Sequence, residues 1–227
     1  MFWGLAKRLA TQLGLKNIPF VFDYAEAKRR MVFGASGILH LGGHTGQEAK
    51  LYSEAAKPVL WVEGDPRLFS ELAKTIAPHP GQRAINALLG RENLEGVEFH
   101  IANNNGASSS IFPLAEDHGF EGIQLKMIDS VTLPLSRLDS LVSAQEVEAL
   151  SHWVVDLQGA ELEALVGAGD LLESCLTMEI EVSKRRVYHG GVDYSELESF
   201  LTQHGFSSLW EPPPGSHGDH LFFRTRR

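Results

Sequence analysis

Short apolar segments alternate with helical segments along most of this chain, and this alternation constrains the fold more than any other feature. Residues 38–41 and 58–62 are apolar and short enough to be buried strands. Each precedes a segment of helical character, residues 47–56 and 67–76, and a third strand is expected over about residues 83–88. Strands that alternate with helices pair in parallel, because each connecting helix packs on a face of the sheet. The pattern therefore predicts an α/β domain with a mostly parallel sheet and helices on both faces.

The C-terminal third repeats this alternation and then departs from it. Strands and helices are expected in turn over residues 153–156, 160–167, 176–182 and 194–204. Two further strands, residues 206–210 and 220–224, follow, and the stretch between them is rich in proline and glycine. Strands joined by such a turn form an antiparallel hairpin. The sheet is therefore predicted to finish with one reversed strand.

The middle of the chain has a different pattern. Residues 97–101 and 124–133 alternate polar and apolar side chains, as edge or antiparallel strands do. The polar stretch 103–110 lies between them. We therefore expect this region to interrupt the parallel sheet.

The N-terminal segment is interpreted as a helical extension of the main domain. Phe2, Leu5, Leu9 and Leu13 have the spacing of one face of a helix over residues 1–15. Such a helix packs on the domain, covers a substrate or forms a dimer contact. We expect the extension to span residues 1–33 and a single α/β domain to span residues 34–227.

Charge and composition limit the choice of partner and compartment. The formal net charge is −9 and the basic residues form only short, separate runs, which argues against nucleic acid as the partner. The single cysteine, Cys175, cannot form an internal disulfide. No apolar run approaches the roughly 20 residues that span a bilayer. These features predict a soluble, cytoplasmic protein that acts on a small molecule away from membranes; they do not predict its oligomeric state.

A glycine-rich loop, His40-Leu41-Gly42-Gly43-His44-Thr45-Gly46, contains the end of the first predicted strand and the turn after it. Glycine allows a sharp turn and a close approach of a ligand, and ligands of open α/β sheets bind at the carboxyl ends of the strands. The second residue after Gly42 is His44, so the loop lacks the G-x-G-x-x-G dinucleotide fingerprint. Glu63 ends the second strand, where a carboxylate can accept both hydroxyls of a ribose. The loop and this acid together predict an adenosine cofactor.

Several segments spread over residues 38–224 resemble the FkbM-type methyltransferases. The most distinctive is Val155-Asp156-Leu157-Gln158-Gly159-Ala160-Glu161-Leu162-Glu163. The other segments with this resemblance are residues 38–48, 61–66, 104–110, 132–133, 138–141, 179–183 and 188–191.

The resemblance implies a class I methyltransferase fold, a Rossmann-like, seven-stranded and mostly parallel sheet whose last strand is antiparallel. It also implies S-adenosylmethionine as the methyl donor and a hydroxyl acceptor, often on a sugar or natural product. One position departs from many class I enzymes, which carry an acid at the end of the first strand where this chain has His40. A histidine there resembles one branch of the family, and it leaves open how the methionine ammonium group is held.

We expect the cofactor to contact the glycine-rich loop and the ends of the strands beside it. The predicted cofactor-binding residues are His40, Gly42, Gly43, His44, Gly46, Glu63, Asn86, Ala87, Ser109 and Asp156. Asn86 and Ala87 end the third strand and are placed to flank the adenine. Ser109 lies in a serine run that binds cofactor or acceptor, or that is an ordinary polar loop.

Asp156, Glu181 and His189 are the candidates for catalysis, because an unactivated hydroxyl benefits from a base that takes its proton. Asp156 ends a buried strand, where it could hold the methionine amine, bind the acceptor, act as base or cap the following helix. Glu181 ends the next strand and could face the acceptor, and His189 lies in a glycine-flanked loop that could close over it. No metal is expected, because the histidines lack the spacing of a ligand set.

Two alternative functions stay open at this point. An NAD-dependent oxidoreductase also binds adenosine, but the missing glycine fingerprint and the reversed last strand argue against it. A degenerate methyltransferase fold could bind a cofactor or a partner protein without catalysis, since a fold does not guarantee an activity. His40 keeps this alternative open, whereas Glu63 and Asp156 argue against it.

Overall fold

The computed structural model describes residues 24–116, 124–212 and 217–225. Ten strands are numbered in chain order: β1 Ile38–Leu41, β2 Val59–Glu63, β3 Gln82–Asn86, β4 Leu88–Leu89, β5 Leu94–Ala102, β6 Met127–Ser136, β7 His152–Val155, β8 Thr177–Ser183, β9 Phe206–Ser207 and β10 His217–Arg224. The helices are α1 Tyr24–Gly34, α2 Ala49–Glu54, α3 Pro66–Ile76, α4 Leu138–Leu141, α5 Ala144–Val147, α6 Glu161–Ala168 and α7 Tyr194–Gln203, with a 3₁₀ helix over Gly169–Ser174.

Seven strands form the main sheet in the order β3-β2-β1-β7-β8-β10-β9. The first five of these pair in parallel, and β10 pairs antiparallel with both β8 and β9. The predicted fold class and the reversed strand near the end of the sheet are therefore confirmed. The strand order changes direction between β1 and β7, and a ligand cleft of an open α/β sheet lies at such a point.

Both faces of the main sheet are covered. On one face Trp61, Tyr52 and Leu72 form a buried cluster with residues of α1 and α3. On the other face Trp153 and Phe222 belong to the larger cluster, which includes residues of α6 and α7. This arrangement follows from the near-continuous apolar character of the strands, because a parallel sheet must be covered on both sides.

The middle of the chain forms a separate three-stranded sheet in the order β4-β6-β5. β5 and β6 pair antiparallel, as expected from their alternating pattern. The third strand of the main sheet was expected to reach residue 88, but it ends at Asn86. Leu88 and Leu89 instead pair with Leu135 and Ser136 of β6, so the chain passes from one sheet to the other at Ala87.

The described part of the N-terminal region packs on the main sheet. Ala27 and Met31 of α1 form a buried cluster with Leu221 of β10, and Val32 packs with Ile38 and Val59. The helix expected over residues 1–15 lies outside the described residues, and the domain boundary at residue 34 stays a prediction. Among the described residues no helix combines the length and the apolar composition that crossing a membrane requires.

The turn after β1 tolerates no side chain at Gly42. This residue has a φ of 90°, and a Cβ built on it would lie 1.7 Å from the carbonyl oxygen of Asp156. Gly81 has a similar φ of 86°, but the nearest atom to its Cβ would be 3.9 Å away. The same substitution at these two glycines therefore distinguishes the effect of backbone strain, which both share, from that of steric overlap, which only Gly42 has.

We expect Gly81→Ala to lower the free energy of unfolding by about 1–2 kcal/mol, the strain of a left-handed alanine. Gly42→Ala should lower it by at least about 2 kcal/mol more, because the overlap forces β1 and β7 apart. Urea denaturation of both variants measures the difference. Equal losses for the two variants would contradict the close approach at Gly42.

Candidate functional site

A cleft opens at the carboxyl ends of β1, β2 and β7, and it holds about 810 Å³ of empty space including its open mouth. Six of the residues that the sequence assigns to the site line this cleft: Gly42, His44, Glu63, Ala87, Ser109 and Asp156. The parallel pairing of β2, β1 and β7 explains the grouping, because it places the ends of these strands at one edge of the sheet.

Glu63 lies at the end of β2 with 7% of its surface exposed. One carboxylate oxygen accepts the backbone N–H of His44 at 2.7 Å, and the other accepts that of Asp65 at 2.7 Å. Burial raises the pKa of Glu63 to about 7, although these N–H groups oppose the shift. Each oxygen keeps a further lone pair, so the ionised group can still accept two hydroxyl groups of a ligand.

His44 adds an unsatisfied polar atom to the cleft. Its backbone is left-handed, with a φ of 45°, which turns its N–H toward Glu63. Its Nδ1 lies 3.3 Å from the hydroxyl of Thr45, whereas its buried Nε2 has no hydrogen-bond partner among the described residues. Buried polar atoms are rarely left unpaired, so this nitrogen points to a polar group of a ligand.

The opposite wall of the cleft is apolar. It is formed by side chains of α3, β4, β5 and the polar stretch after β5, namely Leu68, Leu88, Leu89, Phe99 and Ile111. Ser109 also lies there, and its hydroxyl accepts the backbone N–H of Ala102 at 3.0 Å. A flat aromatic group such as a nucleobase fits a wall of this kind.

Gly43 and Gly46 support the loop from behind and do not line the cleft. A Cβ on Gly43 would lie 2.9 Å from a methyl group of Leu72, and one on Gly46 would lie 2.8 Å from the other. These glycines let the loop pack against α3. The Asn86 side chain likewise points to the backbone, since its amide donates to the carbonyl of Glu63 at 2.7 Å.

His40 lies beneath the sheet edge and not in the cleft. Its ring stacks on Trp61 with centroids 4.4 Å apart, and its Nδ1 is 3.0 Å from the hydroxyl of Tyr52. Burial lowers the pKa of His40 to about 3, so the ring is neutral. It lines a second cavity, here called the chamber, between α1, α2 and the sheet.

The chamber is polar and acidic. Its carboxyl groups belong to Glu48, Asp156, Glu179, Glu181 and Asp219. Lys28 of α1 forms ion pairs with Glu179 and Asp219. Asp156 lines both the cleft and the chamber, so this residue stands at the boundary between the two cavities.

Three carboxyl groups meet beside the end of β7. Asp156, Glu161 and Glu181 each place an oxygen within 4.8 Å of the others. Glu161 accepts the backbone N–H groups of Leu157 at 2.9 Å and Gly159 at 3.1 Å, so it holds the turn that precedes α6. Burial and the charge of Asp156 raise the pKa of Glu161 to about 7.

Asp156 does not act as the cap of α6. The first residue before that helix, Ala160, makes no side-chain cap, and Asp156 instead accepts the side-chain amide of Gln158 at 2.6 Å. Burial is the first cause that raises the pKa of both Asp156 and Glu181. The functional interpretations of Asp156 therefore keep their support, whereas helix capping does not.

The structure does not bring His189 to the cleft or to the chamber. Its side chain is exposed, and its backbone N–H donates to the carbonyl of Pro113 at 2.8 Å. Its catalytic role stays a prediction. Tyr188, the residue before it, is buried and donates its hydroxyl to Gln158 at 2.8 Å.

Gln158, Phe99 and Ile111 also line the cleft, although the sequence predicted no role in the site for any of them. Gln158 belongs to the most distinctive motif, so the sequence marks this residue, but it does not indicate which residues its side chain contacts. Phe99 and Ile111 come from the second sheet and the stretch after it. Nothing in their local sequence indicates that this sheet reaches the cleft.

Comparison with known families gives a match over most of the chain. The family described as "Methyltransferase FkbM domain" matches residues 40–208. A relative, the 2-O-methyltransferase NoeI of Sinorhizobium fredii, is 22% identical over 196 residues, which cover 83% of this chain and 79% of NoeI.

Solved structures are similar at lower identity. The fibrillarin pre-rRNA processing protein of Methanococcus jannaschii is 15% identical, with a TM-score of 0.51 over 97% of this chain and 75% of that one. This likeness agrees with the class I fold. The fibrillarin of Aeropyrum pernix, solved with natively bound S-adenosyl-L-methionine, is 14% identical with a TM-score of 0.47. The match covers 82% of this chain and 65% of that one, just under two thirds of its length.

We expect the three-carboxyl cluster to bind no divalent cation, because amide and backbone N–H groups already donate to Asp156, Glu161 and Glu181. Calorimetric titration of the full chain with Mg²⁺ and with Mn²⁺ should give no saturable heat. A saturable signal that disappears in Glu181→Gln would contradict this prediction and place a metal in the cluster.

Proposed function

This chain belongs to the FkbM methyltransferase family, and we propose that it transfers a methyl group from S-adenosylmethionine to a hydroxyl oxygen of a small molecule. The acceptor class we propose is a sugar or a natural-product-like compound. The name of NoeI, a 2-O-methyltransferase, supports oxygen as the acceptor atom. The net charge of −9 supports a small-molecule acceptor over a nucleic acid.

The buried Glu63 carboxylate carries this proposal. It lies in the cleft at the end of β2, with two backbone N–H groups holding it in place. A carboxylate fixed in this way suits a vicinal diol, because it can accept one hydrogen bond on each oxygen. The apolar wall with Phe99 and Ile111 suits the adenine that accompanies a ribose, and the Nε2 of His44 suits a polar atom of the same ligand.

When bound, S-adenosylmethionine supplies a methyl group on a sulfonium, a strong electrophile that needs alignment more than activation. Asp156 is proposed to take the proton of the acceptor hydroxyl as its oxygen gains the methyl group. The position of Asp156 between the cleft and the chamber supports this role, because it faces both the proposed donor site and a second polar cavity. Glu181 lies beside it in the chamber and is proposed to share its proton.

The chamber is the proposed location of the acceptor. Its lining mixes carboxyl groups with the Tyr52 hydroxyl and the Lys28 ammonium, which together offer donors and acceptors to a polyhydroxylated molecule. His189 is not included in this scheme, because its exposed side chain lines neither cavity.

Calorimetric titration with S-adenosylhomocysteine tests the cofactor assignment, with NAD as the competing ligand. We expect micromolar binding of S-adenosylhomocysteine and none of NAD, and a loss of at least about tenfold in Glu63→Ala, since a charged acceptor of two hydrogen bonds is removed. Glu71→Ala removes an exposed acid of α3 and should leave the affinity unchanged.

Binding of NAD alone would replace this function by an oxidoreductase. Binding of S-adenosylhomocysteine without any methyl transfer in a broad screen of hydroxylated acceptors would favour the degenerate binding module.

The affinity for S-adenosylhomocysteine should rise with pH. The pKa of Glu63 is raised to about 7 in the free protein, and only the ionised carboxylate accepts on both oxygens. Between pH 6 and pH 8 the ionised fraction grows from about one tenth to about nine tenths, so binding should tighten by up to about tenfold. Glu63→Gln should lose this part of the pH dependence; an unchanged profile in that variant would assign the titration to another group.

A further inference from the structure

Gln158 stands in the turn between β7 and α6 with a left-handed backbone. Its φ is 52° and that of the following Gly159 is 96°. A left-handed conformation is unfavourable for a residue other than glycine and persists only when other contacts hold it. At Gln158 those contacts are hydrogen bonds of the side chain.

All three polar groups of this amide are used. The Nε2 group donates to Oδ1 of Asp156 at 2.6 Å and to Oε2 of Glu181 at 2.9 Å. The Oε1 atom accepts the hydroxyl of Tyr188 at 2.8 Å. One residue thus joins the loop after β7, the end of β8 and the segment that carries Tyr188.

The chemistry of the neighbours fixes which way the amide points. Two carboxyl oxygens lie on one side, and a carbonyl oxygen turned toward them would repel whichever carboxyl is ionised. The hydroxyl of Tyr188 lies on the other side and can donate to a carbonyl. Only the orientation with the NH₂ group toward Asp156 and Glu181 satisfies every partner.

We propose that Gln158 is a positioning residue that decides which carboxyl of the Asp156–Glu181 pair carries the shared proton, so that Asp156 is the ionised member. This inference rests on the proposed function, in which Asp156 takes the proton of the acceptor hydroxyl. Gln158 acts through Asp156 and transfers no proton itself, because an amide does not titrate in this range.

The charges around the pair explain why a neutral donor is needed. Glu161, Asp219 and Glu48 all face Asp156 or Glu181 and disfavour a second negative charge. Burial and the charge of Glu181 raise the pKa of Tyr188, so its hydroxyl stays neutral and adds no charge. The nearby cation, Lys28, is paired with Glu179 and Asp219. The N–H groups of Gln158 therefore stabilise a carboxylate without adding a charge to the cluster.

The two carboxyl groups differ in how their neighbours act on them. Burial raises the pKa of Asp156, but the amide of Gln158 and a hydrogen bond from Glu181 lower it. Burial and then the charge of Asp156 raise the pKa of Glu181 well above its ordinary value. The geometry agrees, because the amide contact with Asp156, at 2.6 Å, is shorter than that with Glu181, at 2.9 Å, and hydrogen bonds to an ionised acceptor are the shorter ones. The proton is therefore placed on Glu181.

Tyr188 holds the amide in this orientation. Its ring packs on Gly159, where an added Cβ would lie 2.7 Å from a ring carbon. Its hydroxyl also lies 3.2 Å from the carbonyl oxygen of Ser108, so the ring is fixed at both ends. Tyr188→Phe removes the hydroxyl and keeps the ring on Gly159, which makes it a milder version of a change at Gln158.

Carboxyl ¹³C NMR titration of the full chain tests the proposal without any ligand. Signals of Asp156 and Glu181 are identified by their loss in Asp156→Asn and Glu181→Gln. In the unmodified protein Asp156 should be the first of the two to ionise. In Gln158→Met, which keeps the length of the side chain and removes its hydrogen bonds, the midpoint of Asp156 should rise by about one pH unit or more. Tyr188→Phe should move it in the same direction by less.

Gln145→Met makes the same replacement on the exposed surface of α5 and should leave both midpoints unchanged. An unchanged midpoint of Asp156 in Gln158→Met would overturn the proposal. Should that variant fail to fold, Tyr188→Phe decides: a shifted midpoint supports the proposal and an unshifted one overturns it. Because the titration uses no cofactor, a failure to bind S-adenosylhomocysteine would count against the proposed function alone.

Discussion

The close approach of the ends of β1 and β7 is the constraint on which the rest of the site depends. The backbone N–H of Asp156 donates to the carbonyl of Leu41 at 2.9 Å, and Gly42 leaves no room for a Cβ against Asp156. This contact turns the chain after β1 toward β2, where the backbone N–H of His44 meets Glu63. One tight backbone contact therefore brings the glycine loop, the acid of β2 and the acid of β7 to the same cleft.

The site also buries several carboxyl groups close together, an arrangement that disfavours their charged forms unless hydrogen bonds stabilise them. Glu63 and Glu161 each accept two backbone N–H groups, and Asp156 and Glu181 share the amide of Gln158. Hydrogen bonds to a carboxylate favour its charged form and oppose the effect of burial. Since these donors are neutral, four backbone N–H groups and one side-chain amide, they stabilise the acids without filling the cleft with cations.

The positions of Glu63 and Asp156 could be predicted from the sequence, because both follow apolar strands and parallel strands end at one edge of a sheet. The sequence could also have predicted that His40 does not line the cleft. Side chains alternate along a strand, so His40 shares the face of Ile38 and points to Trp61 under the cleft. Phe99 and the contacts of Gln158 could not be predicted, because they depend on how a second sheet and a distant loop pack against the first. No local pattern records such packing.

The place of His40 also bears on how a cationic ligand group can be held. Among the described residues the acids that line the cleft are Glu63 and Asp156, and Glu63 is already held by two N–H groups. The neutral ring of His40 supplies no negative charge, and it lines the chamber and not the cleft. In the proposed function Asp156 on β7, one strand spacing of about 4.8 Å away, carries a negative charge at this edge until it takes the proton of the acceptor hydroxyl. Replacing that acid by a buried histidine is therefore compatible with the same ligand, because the neighbouring strand carries the charge at the same edge of the sheet.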